Sequence, residues 1–180
     1  MPYLVRHTKP DIAPGICYGQ ADLGLAASFA EEALEVSRQL PAHIPQLYYS
    51  PLQRCSRLAG FLCDHHRVEQ AIAVPDLKEM HFGEWEMAAW DAINPTDLQV
   101  WMNDFEHAIV PGGESFALLY RRVAQWWQAH QKTMSQDAVI VAHAGSLRSL
   151  LCLLHHTPLS KAFEAYKIAY GQVVSVELPS

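Results

Sequence analysis

Ala138-Val139-Ile140-Val141-Ala142-His143-Ala144-Gly145-Ser146 is the stretch whose reading decides the fold. Five apolar residues with no polar alternation, three of them β-branched, predict a strand covered on both faces. Directly behind them, Leu147, Leu150, Leu151 and Leu154 fall on one side of a predicted helix. A buried strand that turns into a helix within one or two residues is the repeating unit of layered α/β proteins.

The same grammar recurs outward from this unit. Tyr3-Leu4-Val5 reads as a strand ending at Arg6 or His7, followed by a Pro/Gly-punctuated loop that reaches Leu25. Phe29, Ala33, Val36 and Leu40 predict an amphipathic helix stopped by Pro41. Leu47-Tyr48-Tyr49 is a strand, and Ser50-Pro51-Leu52-Gln53 behind it a helix start with Ser50 as N-cap, which places Arg54 in or just after the first turn. Ala71 to Val74 is a weaker strand, and residues 76 to 95 carry no clean period. Thr96 and Gln99 suggest a capping box ahead of Leu98, Trp101, Met102 and Phe105. Pro111 to Ser115 breaks the chain before a helix striped by Phe116, Leu119, Tyr120, Val123 and Trp127, and Val173 to Val176 forms a last strand. The expected fold is a three-layer α/β/α sandwich around a mostly parallel sheet, one domain over residues 1–180, with a loop and helix excursion at about 76–115 covering the site.

Composition narrows the function. Thirteen Lys and Arg against nineteen Asp and Glu leave a net charge of -6, which disfavours nucleic acid and anionic membrane as partners. No apolar run approaches a bilayer span, and the N-terminal residues lack the basic lead of a signal peptide, so the expected location is the cytoplasm. Cys17, Cys55, Cys63 and Cys152 sit at no metal-finger spacing and read as reduced, mostly buried thiols.

In open α/β sheets, ligands sit beyond the carboxyl ends of the strands. Three strand ends bring protonatable or cationic side chains to that rim: Arg6-His7, Ser50 to Arg54, and His143 to Ser146. Together with helix N-termini they would bind a phosphate. The sequence has no cysteine with an arginine six residues on, no Asp-x-Asp pair, no Gly-x-x-x-x-Gly-Lys and no Gly-x-Ser-x-Gly. Histidine remains as the nucleophile, since a neutral imidazole attacks phosphorus near pH 7. Arg6 and Arg54 are placed to bind the equatorial oxygens. A carboxylic acid must protonate the leaving oxygen, and Glu79, Glu84 and Glu86 all qualify on spacing.

Arg6-His7-Thr8, Ser50-Pro51-Leu52-Gln53-Arg54, Leu77 to Glu86, Pro111-Gly112-Gly113-Glu114-Ser115 and Val141-Ala142-His143-Ala144-Gly145 occur in the order found in the histidine phosphatase (phosphoglycerate mutase-like) superfamily, which this sequence resembles over about residues 3 to 150. Cys17-Tyr18-Gly19-Gln20 with Asp22, and the string from Glu79 to Glu86, resemble its α-ribazole phosphatase branch. The resemblance implies that His7 is phosphorylated, that Arg6, Arg54 and His143 clamp the phosphate, and that Glu79 is the acid. It also implies that no metal or cofactor is used and that the partner is a small phosphorylated metabolite. Thr8 and Ala144 stand where glycine is commoner in the superfamily, and an ordinary backbone is expected at Ala144. Ile12, Ala13 and Pro14 offer no mutase-type asparagine, and no long tail follows the last strand up to Ser180. Both features favour a phosphatase over a mutase.

The alternatives are another small-metabolite phosphatase, a phosphoglycerate mutase, or a phosphate-binding module with little turnover. The eight histidines other than His7 and His143 read as surface or packed residues. Cys55, Trp85, Trp90 and Trp101 read as packing, with a minority reading that sets one tryptophan against an aromatic base. The 76–115 excursion is expected to line the leaving-group side. Oligomeric state, monomer or dimer, has no signature in the sequence.

Overall fold

The computed structural model describes residues 1–177; the last three residues of the domain expected over 1–180 lie outside the described part. Five strands, β1 (Tyr3–Arg6), β2 (His43–Tyr49), β3 (Arg67–Ala73), β4 (Val139–Ala142) and β5 (Val173–Ser175), form one sheet in the order β3-β2-β4-β1-β5. All neighbours are parallel except β1 and β5. Helices α1 (Phe29–Ser37), α2 (Gln53–His65), α3 (Pro95–Asn103), α4 (Phe116–His130), α5 (Ala144–Leu154) and α6 (Ala162–Ala165) flank it. The sheet is mixed and mostly parallel, as the sequence predicts.

Strand alternation sorts the core into two layers. Val5, Leu47, Val139 and Val141 point to α1 and α2, where they meet Val36, Leu58 and Leu62. Leu4, Tyr48, Ile140 and Ala142 point the other way, to Phe116, Leu119 and Val123 of α4 and Leu147 and Leu150 of α5. Because β4 is covered on both sides, every one of its residues is buried, which is why it reads as an unbroken apolar run.

Several boundaries differ from expectation. α1 ends at Ser37, so Leu40 is buried from a turn rather than from the helix. β2 and β3 each begin about four residues before their apolar signal. Ser50 does not cap α2: the helix begins at Gln53, and the Ser50 hydroxyl is 2.8 Å from the His143 ring. The cap comes instead from a remote carboxylate, Asp22, which accepts from the Gln53 backbone N–H at 2.7 Å where the helix dipole favours negative charge. For α3, Asn94 outcompetes Thr96, since Asn94 with Pro95 at the first helical position is the stronger start, and its side chain accepts from Thr96 N–H. Met102 is exposed and Phe105 lies past the helix end. The short helix α6 and the turn before it carry no signal in the sequence reading.

The register sets the site. Arg6 pairs with Ala142, and Tyr49 with Val141, so β1, β2 and β4 end at one level. His7 N–H then bonds Ala142 C=O at 3.0 Å and Ser50 N–H bonds Val141 C=O at 3.0 Å. Residues 7, 50 and 143 leave the sheet side by side.

Candidate active site

The imidazoles of His7 and His143 meet edge to face, with centroids 5.0 Å apart, and both are buried. His7 Nδ1 lies 2.6 Å from the Thr8 carbonyl. A carbonyl only accepts, so Nδ1 carries the proton and Nε2 keeps its lone pair. Burial, then the Arg54 guanidinium, hold His7 well below the ordinary imidazole pKa, with Arg6 adding to the effect against the Thr8 bond. The ring is therefore neutral. His143 has the opposite tautomer: Arg54 Nε–H donates to its Nδ1 at 3.2 Å, so Nε2 carries the proton and donates to Ser50 Oγ at 2.8 Å. Burial first, and then Arg54 and His7, push it well below its usual value too. Cys55 lies against this ring with a thiol driven upward by burial, which makes it inert packing.

The lowered pKa values carry a sign for stability. Above pH 6.5 both folded and unfolded imidazoles are neutral and nothing differs. As pH falls below 6.5 the unfolded chain takes up protons that His7 and His143 refuse, so stability declines, by up to about 2 kcal/mol per imidazole between pH 7 and 5. Urea midpoints at the two pH values should show this loss, and His7→Asn should remove about half of it. An unchanged pH dependence in that variant would contradict the assignment.

Arg54 is fully buried in the first turn of α2, and its terminal nitrogens donate to Ala21 and Gly19 carbonyls at 2.8 and 2.6 Å. Gly19 has φ +41°, and a Cβ there would strike the Glu86 carboxylate and the Met80 carbonyl, so this carbonyl is presented by a turn only glycine makes easily. Arg6 donates to Ile168 C=O at 2.6 Å and lies 3.8 Å over the ring of Tyr170. Its Nε–H and the Thr8 hydroxyl are buried without any partner among the described residues. Two donors flanking His7 are thus free for an external acceptor.

Among the three carboxylates left open by spacing, the structure brings Glu79 to the start of α5, beside His143 in sequence. Both its oxygens lie 3.1 Å from the Gly145 N–H, in the first turn of α5 and two residues from His143. A Cβ on Gly145 would occupy the place of that carboxylate. Glu86 accepts instead from Gln20 and Phe82 N–H at 2.9 and 3.0 Å and ties two loops together, while Glu84 is exposed. Ala144 has the ordinary backbone expected of it; among the described residues only Met87 and His156 take positive φ without being glycine.

Two residues here, Arg122 and Tyr170, were missed in the sequence. Arg122 on α4 spends all its N–H groups on the Asp76, Lys78 and Glu79 carbonyls and the Glu114 carboxylate, fixing the loop that carries Glu79. Tyr170 stands 5.5 Å from the His7 ring, and its hydroxyl bonds that of Tyr18 at 2.7 Å. Tyr18 sits in a quoted motif, whereas Tyr170 and Arg122 act only through distant partners. Among the described residues no three His, Cys, Asp or Glu side chains are grouped as metal ligands, and no helix is long and apolar enough to cross a membrane.

A strand-end histidine beside a second histidine, flanked by two arginines, is thus what the fold assembles at this rim. The family model for the histidine phosphatase superfamily (branch 1) matches residues 2–179. The chain belongs to the histidine phosphatase superfamily. This histidine phosphatase is a hydrolase of phosphoric monoesters, and its relatives carry that activity. The adenosylcobalamin/alpha-ribazole phosphatase of Salmonella typhimurium is 30% identical over 177 residues, covering 94% of this chain and 86% of the relative. Phosphoserine phosphatase 1 of Hydrogenobacter thermophilus is 27% identical over 164 residues, 88% of this chain and 77% of that one. The crystal structure of the alpha-ribazole phosphatase from Shigella flexneri superposes with a TM-score of 0.84 at 25% identity, covering 96% of this chain and 87% of that chain.

Proposed function

We propose that this phosphatase hydrolyses α-ribazole 5'-phosphate, in cobalamin biosynthesis, through a phosphohistidine at His7, without a metal, in the cytoplasm and within one domain over residues 1–180. The observation that carries the reading is the neutral His7 with Nε2 unprotonated, 5.0 Å from His143 and flanked by the unpartnered Arg6 Nε–H and Thr8 hydroxyl. Nε2 attacks phosphorus and the bond to the alcohol oxygen breaks. Arg6, Arg54 and His143, which turns its Nε2–H from Ser50 onto the substrate, hold the phosphoryl oxygens, whose charge spreads in the transition state. Glu79 in its acid form gives the leaving oxygen a proton. The resulting carboxylate then takes a proton from water, which attacks phosphorus and breaks the P–N bond, returning His7 to its starting state.

The α-ribazole assignment rests on the relatives from Salmonella and Shigella, and the Hydrogenobacter relative makes phosphoserine the rival. Relative kcat/KM values on α-ribazole 5'-phosphate, phosphoserine and 3-phosphoglycerate test it, measured with and without EDTA. The first substrate should lead by at least about tenfold, which is 1.4 kcal/mol, with no effect of chelator. A lead for phosphoserine would replace the substrate, and isomerisation of 3-phosphoglycerate without release of phosphate would replace the reaction.

A further inference from the structure

A cavity of about 400 Å³ adjoins the histidine site and shares Tyr18 and Tyr170 with it. Ile12, Pro14, Ile16 and Trp90 complete most of its wall, and among the described residues no aspartate or glutamate lines it. Each tyrosine ring is seated on an arginine of the site, Tyr170 under Arg6 at 3.8 Å and Tyr18 under Arg54 at 5.2 Å. The hydrogen bond between the hydroxyls closes a chain from Arg6 through Tyr170 and Tyr18 to Arg54. The opposite wall is stitched in place as well. Gly15 accepts from Trp90 N–H at 2.9 Å, Cys17 N–H donates to Ala88 at 2.9 Å, and Cys17 accepts from Met87 N–H at 2.6 Å. Trp90 is braced by Phe82, Trp85 and Trp101, with centroid separations of 5.4 to 6.4 Å.

Resting on the phosphatase reading above, we propose that this cavity receives the alcohol half of the substrate, and that it selects a flat, uncharged aromatic group. A preformed slot with three aromatic faces and aliphatic sides matches such a group. The ammonium of phosphoserine would enter it with no carboxylate to pair with, at the cost of desolvating a charge. Lys9, the one cation lining the cavity among the described residues, can pair with the carboxylate of phosphoserine but repels its ammonium. The walls come chiefly from residues 9–18 and Tyr170; the 76–115 excursion, expected to line this side, contributes Trp90.

The test compares 2-(2-naphthyl)ethyl phosphate with phosphoserine, both of which release an alkyl alcohol. The unaltered protein should prefer the naphthyl ester, and Ala13→Trp, which fills the cavity from an exposed position, should cut that preference at least about tenfold. Trp90→Ala should cut it too, and thermal melting separates a loss of fold from a loss of selectivity. Equal kcat/KM on both esters, or a preference untouched by Ala13→Trp in a folded protein, overturns the proposal while leaving the phosphohistidine reading intact. Failure of the unaltered protein to form phosphohistidine on either ester overturns both.

Discussion

His7→Ala should lower kcat by about 10⁴-fold or more, the scale of removing a covalent nucleophile whose neighbours act with it as a unit. Rapid quenching of the unaltered protein with a ³²P-phosphomonoester should trap label that is lost in acid and kept in base, the signature of a phosphoramidate. The alanine variant should carry none. Loss of fold is the competing explanation, and it has a bounded size. The ring is buried and neutral and its Nδ1–H satisfies the Thr8 carbonyl, so truncation leaves a small cavity and one orphaned acceptor, together about 2 to 5 kcal/mol. His7→Asn keeps a donor near that carbonyl and should lose activity equally with a smaller loss of stability. Full activity in either folded variant would remove the mechanism.

Glu79→Gln should lower kcat by about 10² to 10⁴-fold on an alkyl phosphate, with KM changed only a few-fold, because the role proposed for the carboxyl is on the leaving oxygen rather than on the bound phosphoryl group. The amide is isosteric, and its carbonyl can still accept from Gly145 N–H, so the loop should stay in place. The informative comparison is between leaving groups. On 4-nitrophenyl phosphate, whose phenolate departs without a proton, the deficit should shrink by at least about tenfold. An equal deficit on both esters would make Glu79 a positioning group. No change in rate or affinity on either would leave the clamp without an acid and favour a binding module.

What could be read from the sequence was whatever is local. A doubly covered strand shows itself as an apolar run, as β4 does, and a strand end followed by a charged residue marks the rim, as Arg6-His7 and His143 do. The five ordered motifs carried the family. The choice of Glu79 over Glu84 and Glu86 came from the resemblance, because the contact that separates them joins residues 79 and 145. Ser50 misled for the same reason: its spacing to Gln53 satisfies a local cap, yet its hydroxyl meets a ring 93 positions away. Tyr170 lies in a stretch with no periodicity, and nothing nearby in the chain announces that Arg6 stacks on it.

The strand that ends in Arg6 is made more than a hundred residues before either of its neighbours, β4 and β5, whose partners for it are residues 139–142 and 173–175. Gly171 N–H is aimed at the Arg6 and His7 carbonyls, at 3.2 and 3.1 Å. Tyr3 to Arg6 therefore gain their strand partners only after residue 139 has been made. Contacts this distant in sequence form late. A chain stopped ahead of residue 139 carries the His7 imidazole and both arginines but lacks β4 and His143, so the proposed site is assembled only once residues far downstream have joined the sheet.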